Sequence, residues 1–373
     1  MAVEIRPYTD DLAGALAAFN TRLRDGGRAG YQFKAQGVDS WLPRLPGRSL
    51  YRQYYAAVED GSTLRGGFVL KHQEFLIDGQ IRSIADLQFP VSEGIVNRKY
   101  APLAGRLMRE ATRLQPCLFG LGMGGYDQAV ARLFKAAGWG LFTVPFYFRV
   151  GRPFRFLRNI VVLRRSPLRR ALLDALAFTG LGWVAVKVRQ AMVRKPAVPA
   201  RPWAAEAVDS FGPWADEIWE AGKGQYVMVA VRTSDILNIL YPAGNPCFVR
   251  LKVSVGDKAV GWAVVIHAQM SHHRQFGNMR VGSIVDGFAA AGDEPAVACA
   301  AAAHLRRLGV DLIVSNQAHE AWRRGLEAAG LMQGPSNFIF GGSQVLWSLI
   351  GPLEASRNRM HLNRGDGDGP IHL

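Results

Sequence analysis

The feature that most constrains this 373-residue chain is a helix-closing motif that occurs twice. Ala-Ala-Gly ends an apolar periodic segment at Gly138 and again at Gly330, which lies 192 positions later. Glycine just past the last turn commonly ends a helix, because it adopts the left-handed conformation without steric cost. Apolar and aromatic segments, LFTVPFYFRV and QGPSNFIFG, come next. This repeated transition from helix to strand predicts two copies of one α/β unit.

The elements around the two glycines follow the same order. Each half is predicted to contain a strand and a helix, an antiparallel meander, a loop that opens a helix, a buried strand, the helix that ends at glycine, and a closing strand. Pro102 and Pro295 lie in the first turn of corresponding helices. The alternative is coincidence, since this series is common in α/β proteins. The duplication predicts an α/β (α+β) fold.

The predicted domain organisation has four parts. The first domain covers residues 1–150, a connector covers 151–200, the second domain covers 201–350, and a tail covers 351–373. We expect the end of this tail to be a flexible terminus. The alternatives are cation binding through Asp366 and Asp368, or a tail that folds back over the substrate cleft.

Composition and cysteine usage narrow the class of protein. Apolar residues make up 49% of the chain and charged residues 20%, which excludes extensive disorder. The three cysteines lie far apart and lack metal-ligand spacing, as is typical of a reducing compartment. The start, MAVEIRPYTDD, has neither a basic nor an apolar signal region. We therefore expect a cytoplasmic protein with no metal site.

The connector holds most of the net charge of +15. Residues 151–201 contain twelve Lys or Arg and one acid, so the other 322 residues carry only about +4. Its apolar core, ALLDALAFTGLGWVAV, is too short to span a bilayer but has the composition of an in-plane interfacial segment. Peripheral binding to an anionic membrane surface through 151–201 is one prediction. The alternative is that Leu168, Leu172 and Leu176 pack between the two halves. Nucleic-acid binding is not expected, because aromatic and cationic residues do not alternate.

Two segments carry a resemblance to a known superfamily. QAVARLFKAAGW (128–139) and SNQAHEAWRRGLEAAGL (315–331) are similar to the signature around the last main helix of the GNAT acyltransferases. Asn316 and Ala318 match that pattern, whereas the first half has Gly124 and Tyr126 at the same distances from its glycine. Two consecutive copies resemble the tandem acyltransferases of bacterial polysaccharide and envelope pathways and, more remotely, the Fem-type aminoacyl transferases. The resemblance implies two tandem GNAT-like domains, each a mixed, largely antiparallel twisted sheet flanked by helices.

The resemblance also implies an acyl-CoA, expected to be acetyl-CoA, as co-substrate. A helix N-terminus can bind its pyrophosphate, because unpaired N–H groups and the positive end of the helix dipole attract anions. Arg98 and Lys99 are the expected phosphate partners, and the alternative for them is a solvated loop. The equivalent loop 289–294 has two acids and no cation, so we place the acyl-CoA in the first half. The predicted binding residues are Asn97, Arg98, Lys99, Tyr100, Ala101 and Leu103.

Direct acyl transfer needs a base for the nucleophile and benefits from a proton donor for the leaving thiolate. Glu93 and Asp286, at matching strand ends, are the predicted bases, with Asp86 and His267 as alternatives. Many relatives carry a Tyr four residues before the terminal glycine as proton donor. This chain has Phe134 and Leu326 at those two places. Tyr126 is then the candidate donor.

The sequence therefore predicts an acyltransferase that moves an acyl group, expected to be acetyl, from acyl-CoA to an amine or hydroxyl. The acceptor class that the resemblance implies is a small molecule, a sugar or an envelope precursor. The alternative is a non-catalytic binding or scaffold protein built on a degenerate acyltransferase fold.

Overall fold

The structure is a computed structural model that describes residues 3–33, 42–193 and 202–368. Parts of the predicted connector (194–200) and tail (369–373) lie outside these residues. The strands are β1 (Val3–Pro7), β2 (Tyr51–Glu59), β3 (Thr63–Ile77), β4 (Gln80–Ser92), β5 (Leu118–Leu121), β6 (Gly140–Thr143), β7 (Phe146–Val150), β8 (Trp203–Val208), β9 (Met228–Ala230), β10 (Val249–Val255), β11 (Lys258–Gln269), β12 (Arg280–Ala289), β13 (Leu312–Asn316), β14 (Met332–Gly334) and β15 (Ile339–Gly342). The helices are α1 (Ala13–Asp25), α2 (Leu103–Leu114), α3 (Ala129–Ala136), α4 (Pro153–Asn159), α5 (Pro167–Phe178), α6 (Leu181–Val193), α7 (Pro213–Gly222), α8 (Ser234–Leu240), α9 (Glu294–Arg307), α10 (Glu320–Ala328), α11 (Gln344–Ile350) and α12 (Leu353–Ser356).

Two compact units divide the chain, each with its own sheet. The first unit consists of Met1–Thr143 and Asn337–Ser356, and the second consists of Val144–Ser336 and Arg357–Leu373. The first sheet has the strand order β1-β2-β3-β4-β5-β15-β6, and the second has β8-β10-β11-β12-β13-β7-β14. The two orders correspond strand by strand, and among the described residues each of these orders contains a single parallel pair, β4–β5 or β12–β13. The predicted mixed, largely antiparallel sheets are confirmed.

The closing strand of each repeat lies in the sheet of the other unit. β7 follows the first glycine-capped helix but pairs with β13 and β14. β15 follows the second glycine-capped helix but pairs with β5 and β6. Residues 144–150, which we predicted to close the first domain, are therefore part of the second compact unit. Residues 337–350, which we assigned to the second domain, are part of the first.

Helices pack against apolar side chains on both faces of the first sheet. On α2, Leu103, Leu107, Met108 and Ala111 are buried at helical spacing and pack against Leu70 and Leu87 of the sheet, among other residues. Leu12, Leu16, Phe19 and Leu23 of the α1 region form a second cluster with strand residues. This packing fixes the starts of both helices relative to the strand ends, where the site described below lies.

The glycines of the opening motif close their helices in the same way. Gly138 and Gly330 have φ angles of 77° and 79°. The amides of Trp139 and Leu331 donate to the carbonyls of Phe134 and Leu326, five residues earlier, at 3.0 and 2.9 Å. Each glycine amide also donates to the carbonyl three residues before it. Both helices therefore end in a Schellman motif, which requires the left-handed conformation at the glycine.

We expect Gly138→Ala and Gly330→Ala each to lower the free energy of unfolding by about 1–2 kcal/mol. An L-residue in the left-handed region pays this steric cost, and a β-carbon would lie 2.7 Å from Gln344 or Arg149. The matched control is Gly14→Ala in α1, where a β-carbon meets nothing within 4 Å. It should raise stability by about 0.4–1 kcal/mol. Urea unfolding measures all three, and an unchanged value for the two cap variants would contradict the assignment.

Candidate active site

The first unit contains a gap between the two parallel strands β4 and β5. The strands pair only at Ala85–Leu118 and Asp86–Phe119, although β4 continues to Ser92. The other edge of β5 pairs with β15. In the described part of the chain, β4 beyond Asp86 forms no ladder with β5. Backbone N–H and C=O groups along this stretch can therefore bind an extended ligand as if it were an added strand.

A bulge bends β4 in the same region. Gly67 pairs with Val91 and Val69 pairs with Gln88, so two residues, Phe89 and Pro90, lie opposite Phe68 alone. Phe89 has a φ of 49°, in the left-handed region that aromatic residues rarely occupy, and its side chain is exposed. Bulges often lie next to active sites, and backbone strain of about 1–3 kcal/mol tends to concentrate there. Nothing in the sequence around LQFPV indicates this conformation.

The predicted acyl-CoA loop follows directly and leads into α2. Short 3₁₀ turns cover Glu93–Ile95 and Arg98–Tyr100, and the Asn97 side chain accepts a hydrogen bond from the Lys99 amide at 3.1 Å. Asn97, Arg98, Lys99 and Ala101 are exposed at the start of the helix. The structure thus brings these four predicted residues together at a helix N-terminus with two accessible cations. This is a site that an anion can reach.

The other two predicted loop residues, Tyr100 and Leu103, are buried and anchor the loop. Leu103 is 3% exposed and packs in the core under α2. The hydroxyl of Tyr100 donates to Glu59 at 2.8 Å, and the Arg65 guanidinium stacks on its ring at 4.6 Å. The hydrogen bond from Tyr100 and, after it, the Arg65 guanidinium lower the pKa of the Glu59 carboxyl below its ordinary value.

Glu93, the predicted base of the first half, lies in the same ionic cluster. It is 3% exposed. Arg65 donates to both of its oxygens at 3.0 Å, and Arg22 of α1 donates to one of them at 3.0 Å. Two guanidinium groups thus occupy both oxygens of the Glu93 carboxylate. The geometry fits a role in fixing the loop to α1 and β3.

Tyr126, the predicted proton donor, lies between β5 and α3. Its side chain is 53% exposed, and its hydroxyl accepts a hydrogen bond from Thr143 at 3.3 Å. Its hydroxyl hydrogen therefore remains available to another acceptor. Phe134, at the place of the expected tyrosine, is fully buried against Trp139, with ring centroids 4.2 Å apart.

The corresponding gap in the second unit is filled by the tail of the chain. β12 and β13 pair from Val281–Leu312 to Ile284–Ser315 and then part, as β4 and β5 do. The amide of Ala318, just after β13, donates to the carbonyl of Leu362 at 3.0 Å. On the β12 side, Nε2 of His361 donates to the carbonyl of Gly287 at 2.9 Å. Tail residues thus contact both sides of this gap.

Asp286, the predicted base of the second half, is surrounded by the residues that fill this gap. It is 1% exposed. Its carboxylate accepts hydrogen bonds from Arg232 at 2.9 Å, Tyr241 at 2.7 Å and Asn363 at 2.7 Å. Arg232, itself fully buried, also binds Asp366 at 2.6 Å. A β-carbon on Gly365 would lie 2.5 Å from the hydroxyl of Tyr241, so the tail is closely packed. No substrate can reach Asp286 in this arrangement.

The expectation of a flexible terminus, made for residues 364–373, was wrong for residues 364–368, and residues 369–373 lie outside the described residues. Asp366 is fully buried in its ion pair with Arg232, and Asn363 caps a 3₁₀ turn over it. These residues instead fold back into the gap between β12 and β13 of the second unit. Sequence reasoning missed this cluster because Arg232 and Asp366 lie 134 positions apart and no local pattern links them.

The helix start in the second unit is also unsuited to a pyrophosphate. Glu294, the first residue of α9, is 1% exposed and accepts a hydrogen bond from the Gly292 amide at 3.0 Å. Burial raises the pKa of its carboxyl. An acid of the chain itself thus occupies the place where an anion would bind. His267, the alternative base, lies within β11 opposite Gly282, and its ring nitrogen contacts Arg280 at 3.4 Å.

Comparisons with known proteins support the fold. No family model and no curated protein matches the sequence. N-myristoyltransferase of Saccharomyces cerevisiae, solved with bound myristoyl-CoA, matches 92% of this chain and 78% of its own at 11% identity, with a TM-score of 0.52. A probable N-acyltransferase of Enterococcus faecalis matches at 9% identity over 91% of this chain and 72% of its own, with a TM-score of 0.49. Eis1 of Mycobacterium abscessus matches at 14% identity over 92% and 74%, with a TM-score of 0.46.

At these identities the likeness concerns the fold alone. The match to N-myristoyltransferase and the two equivalent sheets define the class: this chain has the GNAT-like fold of acyl-CoA N-acyltransferases in two tandem copies. The predicted fold is confirmed, and the remote likeness to Fem-type transferases is not. Among the described residues, no group of three His, Cys, Asp or Glu could hold a metal ion.

Two buried histidines beside the filled gap predict a pH-dependent stability. Burial lowers the pKa of His361 to about 4 and that of His319 to about 3. Between about pH 6.5 and 4, the unfolded state therefore binds more protons than the folded state, and stability falls as the pH falls. From pH 7 to pH 5, each histidine should cost about 2 kcal/mol.

His361→Gln, whose amide can still donate to Gly287, should remove about half of the loss attributed to the two histidines. Urea unfolding at pH 7 and pH 5 measures the effect. His272→Gln, at an exposed position, is the control and should behave as the wild type. An equal pH-dependent loss in the His361 variant and the wild type would contradict the assignment.

Proposed function

We propose that this protein is an acyltransferase that uses an acyl-CoA bound in its first unit. The observation that carries the proposal is the difference between the two gaps. In the described part of the chain, β4 beyond Asp86 forms no ladder with β5 and precedes the start of α2, whereas the protein's own residues fill the β12–β13 gap. The fold shared with N-myristoyltransferase, which was solved with myristoyl-CoA, supports the same co-substrate class.

The described residues fit an acyl-CoA. Its pantetheine arm carries amides, which can pair with the backbone of β4 beyond Asp86 as an added strand would. Its pyrophosphate can accept hydrogen bonds from the first amides of α2 and from the exposed Arg98 and Lys99. Asn97 and the buried Tyr100 hold this loop in place. The bound thioester supplies the acyl group for direct attack by the acceptor.

The acceptor is proposed to be an amine or hydroxyl of a small molecule, a sugar or an envelope precursor, and the acyl group to be acetyl. Both choices rest on the sequence resemblance. Among the three predicted catalytic residues, Tyr126 fits a proton donor to the leaving thiolate, because its hydroxyl is accessible. Glu93 and Asp286 fit positioning roles, because guanidinium groups occupy their carboxylates.

We expect Arg98→Glu with Lys99→Glu to abolish binding of acetyl-CoA in calorimetry. The double variant replaces two phosphate partners by two charges that repel the pyrophosphate. The matched control is Arg109→Glu with Arg113→Glu, the same charge change about 10–15 Å farther along α2, which should bind normally. Unchanged affinity of the Arg98 and Lys99 variant would show that acetyl-CoA does not bind at this loop.

Tyr126→Phe should lower kcat about 100-fold while leaving KM for acetyl-CoA nearly unchanged, because the hydroxyl would act only as the thiolate leaves. Release of free thiol from acetyl-CoA in the presence of an envelope extract provides the assay. Tyr31→Phe, another exposed tyrosine of the first unit, is the control. Full activity of the Tyr126 variant would exclude it as the donor.

A second candidate function is a non-catalytic acyl-CoA-binding protein. It is favoured by Phe134, which is fully buried at the place where many relatives carry a proton-donating tyrosine. Binding of acetyl-CoA without release of thiol in the same assay would support this candidate over the acyltransferase.

A further inference from the structure

Exposed apolar side chains are concentrated in the connector helices. Of the 18 large apolar side chains that are exposed among the described residues, 11 lie between Phe154 and Met192. The other seven are scattered over the rest of the described chain. Soluble surfaces rarely carry such a contiguous apolar patch unless it binds a partner or a membrane.

The outward face of α6 is apolar along its whole length. Leu181, Val184, Val188 and Met192 follow one another at spacings of three or four residues, so they form one stripe. All four are exposed, between 49% and 72%. Gln190, on the opposite side, is buried and donates to the carbonyl of Val150. A surface helix normally buries its apolar face, and this helix exposes it.

The preceding helix α5 has the same inverted arrangement. Leu168 and Leu172 are 81% and 58% exposed, while Ala177 is buried in the core of the second unit. Of the three leucines in the alternative prediction of packing between the two halves, Leu168 and Leu172 are exposed, whereas Leu176 is partly buried against the core of the second unit. Phe178, at the end of the helix, is 67% exposed. We call the exposed apolar side chains of these two helices the α5–α6 face, which consists of Leu168, Leu172, Phe178, Leu181, Trp183, Val184, Val188 and Met192.

Cations border this face and indicate that its partner carries negative charge. Residues 151–193 contain nine Lys or Arg and a single acid, Asp174. Arg164 and Arg158 neutralise that acid, at 2.7 and 3.4 Å. Eight of the nine cations are exposed: Arg152, Arg155, Arg158, Arg165, Arg169, Arg170, Lys187 and Arg189. A second copy of this face would carry the same charge and be repelled, whereas an anionic surface would be attracted.

A cationic cavity adjoins the apolar surface. It has a volume of about 480 Å³ and is lined by Arg158, Arg164, Arg170 and Arg274, among others. Val161, which is 42% exposed, also lines it and connects it to the apolar side chains. Apolar contact next to clustered guanidinium groups matches the boundary between acyl chains and phosphate headgroups.

The geometry does not indicate a single spanning helix. No helix among the described residues is long and apolar enough to cross a membrane alone. Only α5 and α6 together have sufficient length and apolar composition, and they are bent by 84° relative to each other. Two short helices with outward apolar faces and basic borders are typical of a segment that lies in the interface plane. Trp183, half exposed beneath Lys187, is typical of the same boundary.

We infer that the α5–α6 face is a docking surface for an anionic lipid bilayer, in which Leu168, Leu172, Val184, Val188 and Met192 enter the acyl region and the surrounding cations bind phosphate headgroups. This inference goes beyond the proposed acyl transfer and does not depend on it.

Flotation of the full chain with vesicles tests the inference. The protein should bind vesicles of phosphatidylcholine with phosphatidylglycerol, bind phosphatidylcholine alone weakly, and lose affinity as salt screens the cations. Leu168→Ser with Val188→Ser should weaken binding at least about tenfold, because it removes two inserted side chains without changing charge. Arg165→Glu with Arg169→Glu should weaken it at least about fivefold for each residue.

The matched control is Ile81→Ser with Val345→Ser, two exposed apolar residues of the first unit, and it should bind as the wild type does. All substituted side chains are exposed, so unfolding curves should not change. Equal vesicle binding by the Leu168 and Val188 variant and the wild type would overturn the inference. So would a dimer in solution that the same substitutions dissociate, without any binding to vesicles.

Discussion

The divergence of two parallel strands is the constraint on which the rest of this structure depends. Every buried backbone N–H and C=O group needs a partner, and strands that part deprive one another of theirs. The protein resolves this need differently in its two copies. In the second unit, the carbonyl of Gly287 and the amide of Ala318 find partners within the same chain, at His361 and Leu362. In the first unit, β4 beyond Asp86 forms no ladder with β5 among the described residues.

A buried ionic cluster stabilises the filled gap. Arg232, Asp286 and Asp366 are almost entirely removed from water, which is costly unless each charge is paired and hydrogen-bonded. Here one guanidinium joins two carboxylates, and Tyr241 and Asn363 donate to Asp286 as well. Such a cluster tolerates little change, because removal of any partner leaves a buried charge. The tail residues thus tie together the two sides of the gap in the second unit.

The sequence predicted the elements but not the way they assemble. Gly138 and Gly330 identified the two helix ends, because a Schellman motif is local and needs only a glycine after the last turn. The loop around Arg98 was predicted for the same reason, since it precedes a helix opened by Pro102. The exchange of β7 and β15 was not predicted, because apolar strands of four or five residues fit either sheet equally well. The conformation of Phe89 runs against the local preference of an aromatic residue and therefore gave no signal.

The exchange of closing strands has a consequence for how the chain reaches its native state. The first sheet needs β15, which is synthesised almost two hundred residues after β6. During translation, β5 therefore emerges with an unpaired edge that its own half cannot cover. Pairings at such sequence distance form slowly, and an uncovered edge invites association with other chains. The nascent protein thus depends on late arrival of its C-terminal third, and cutting it between the repeats would leave both fragments with an incomplete sheet.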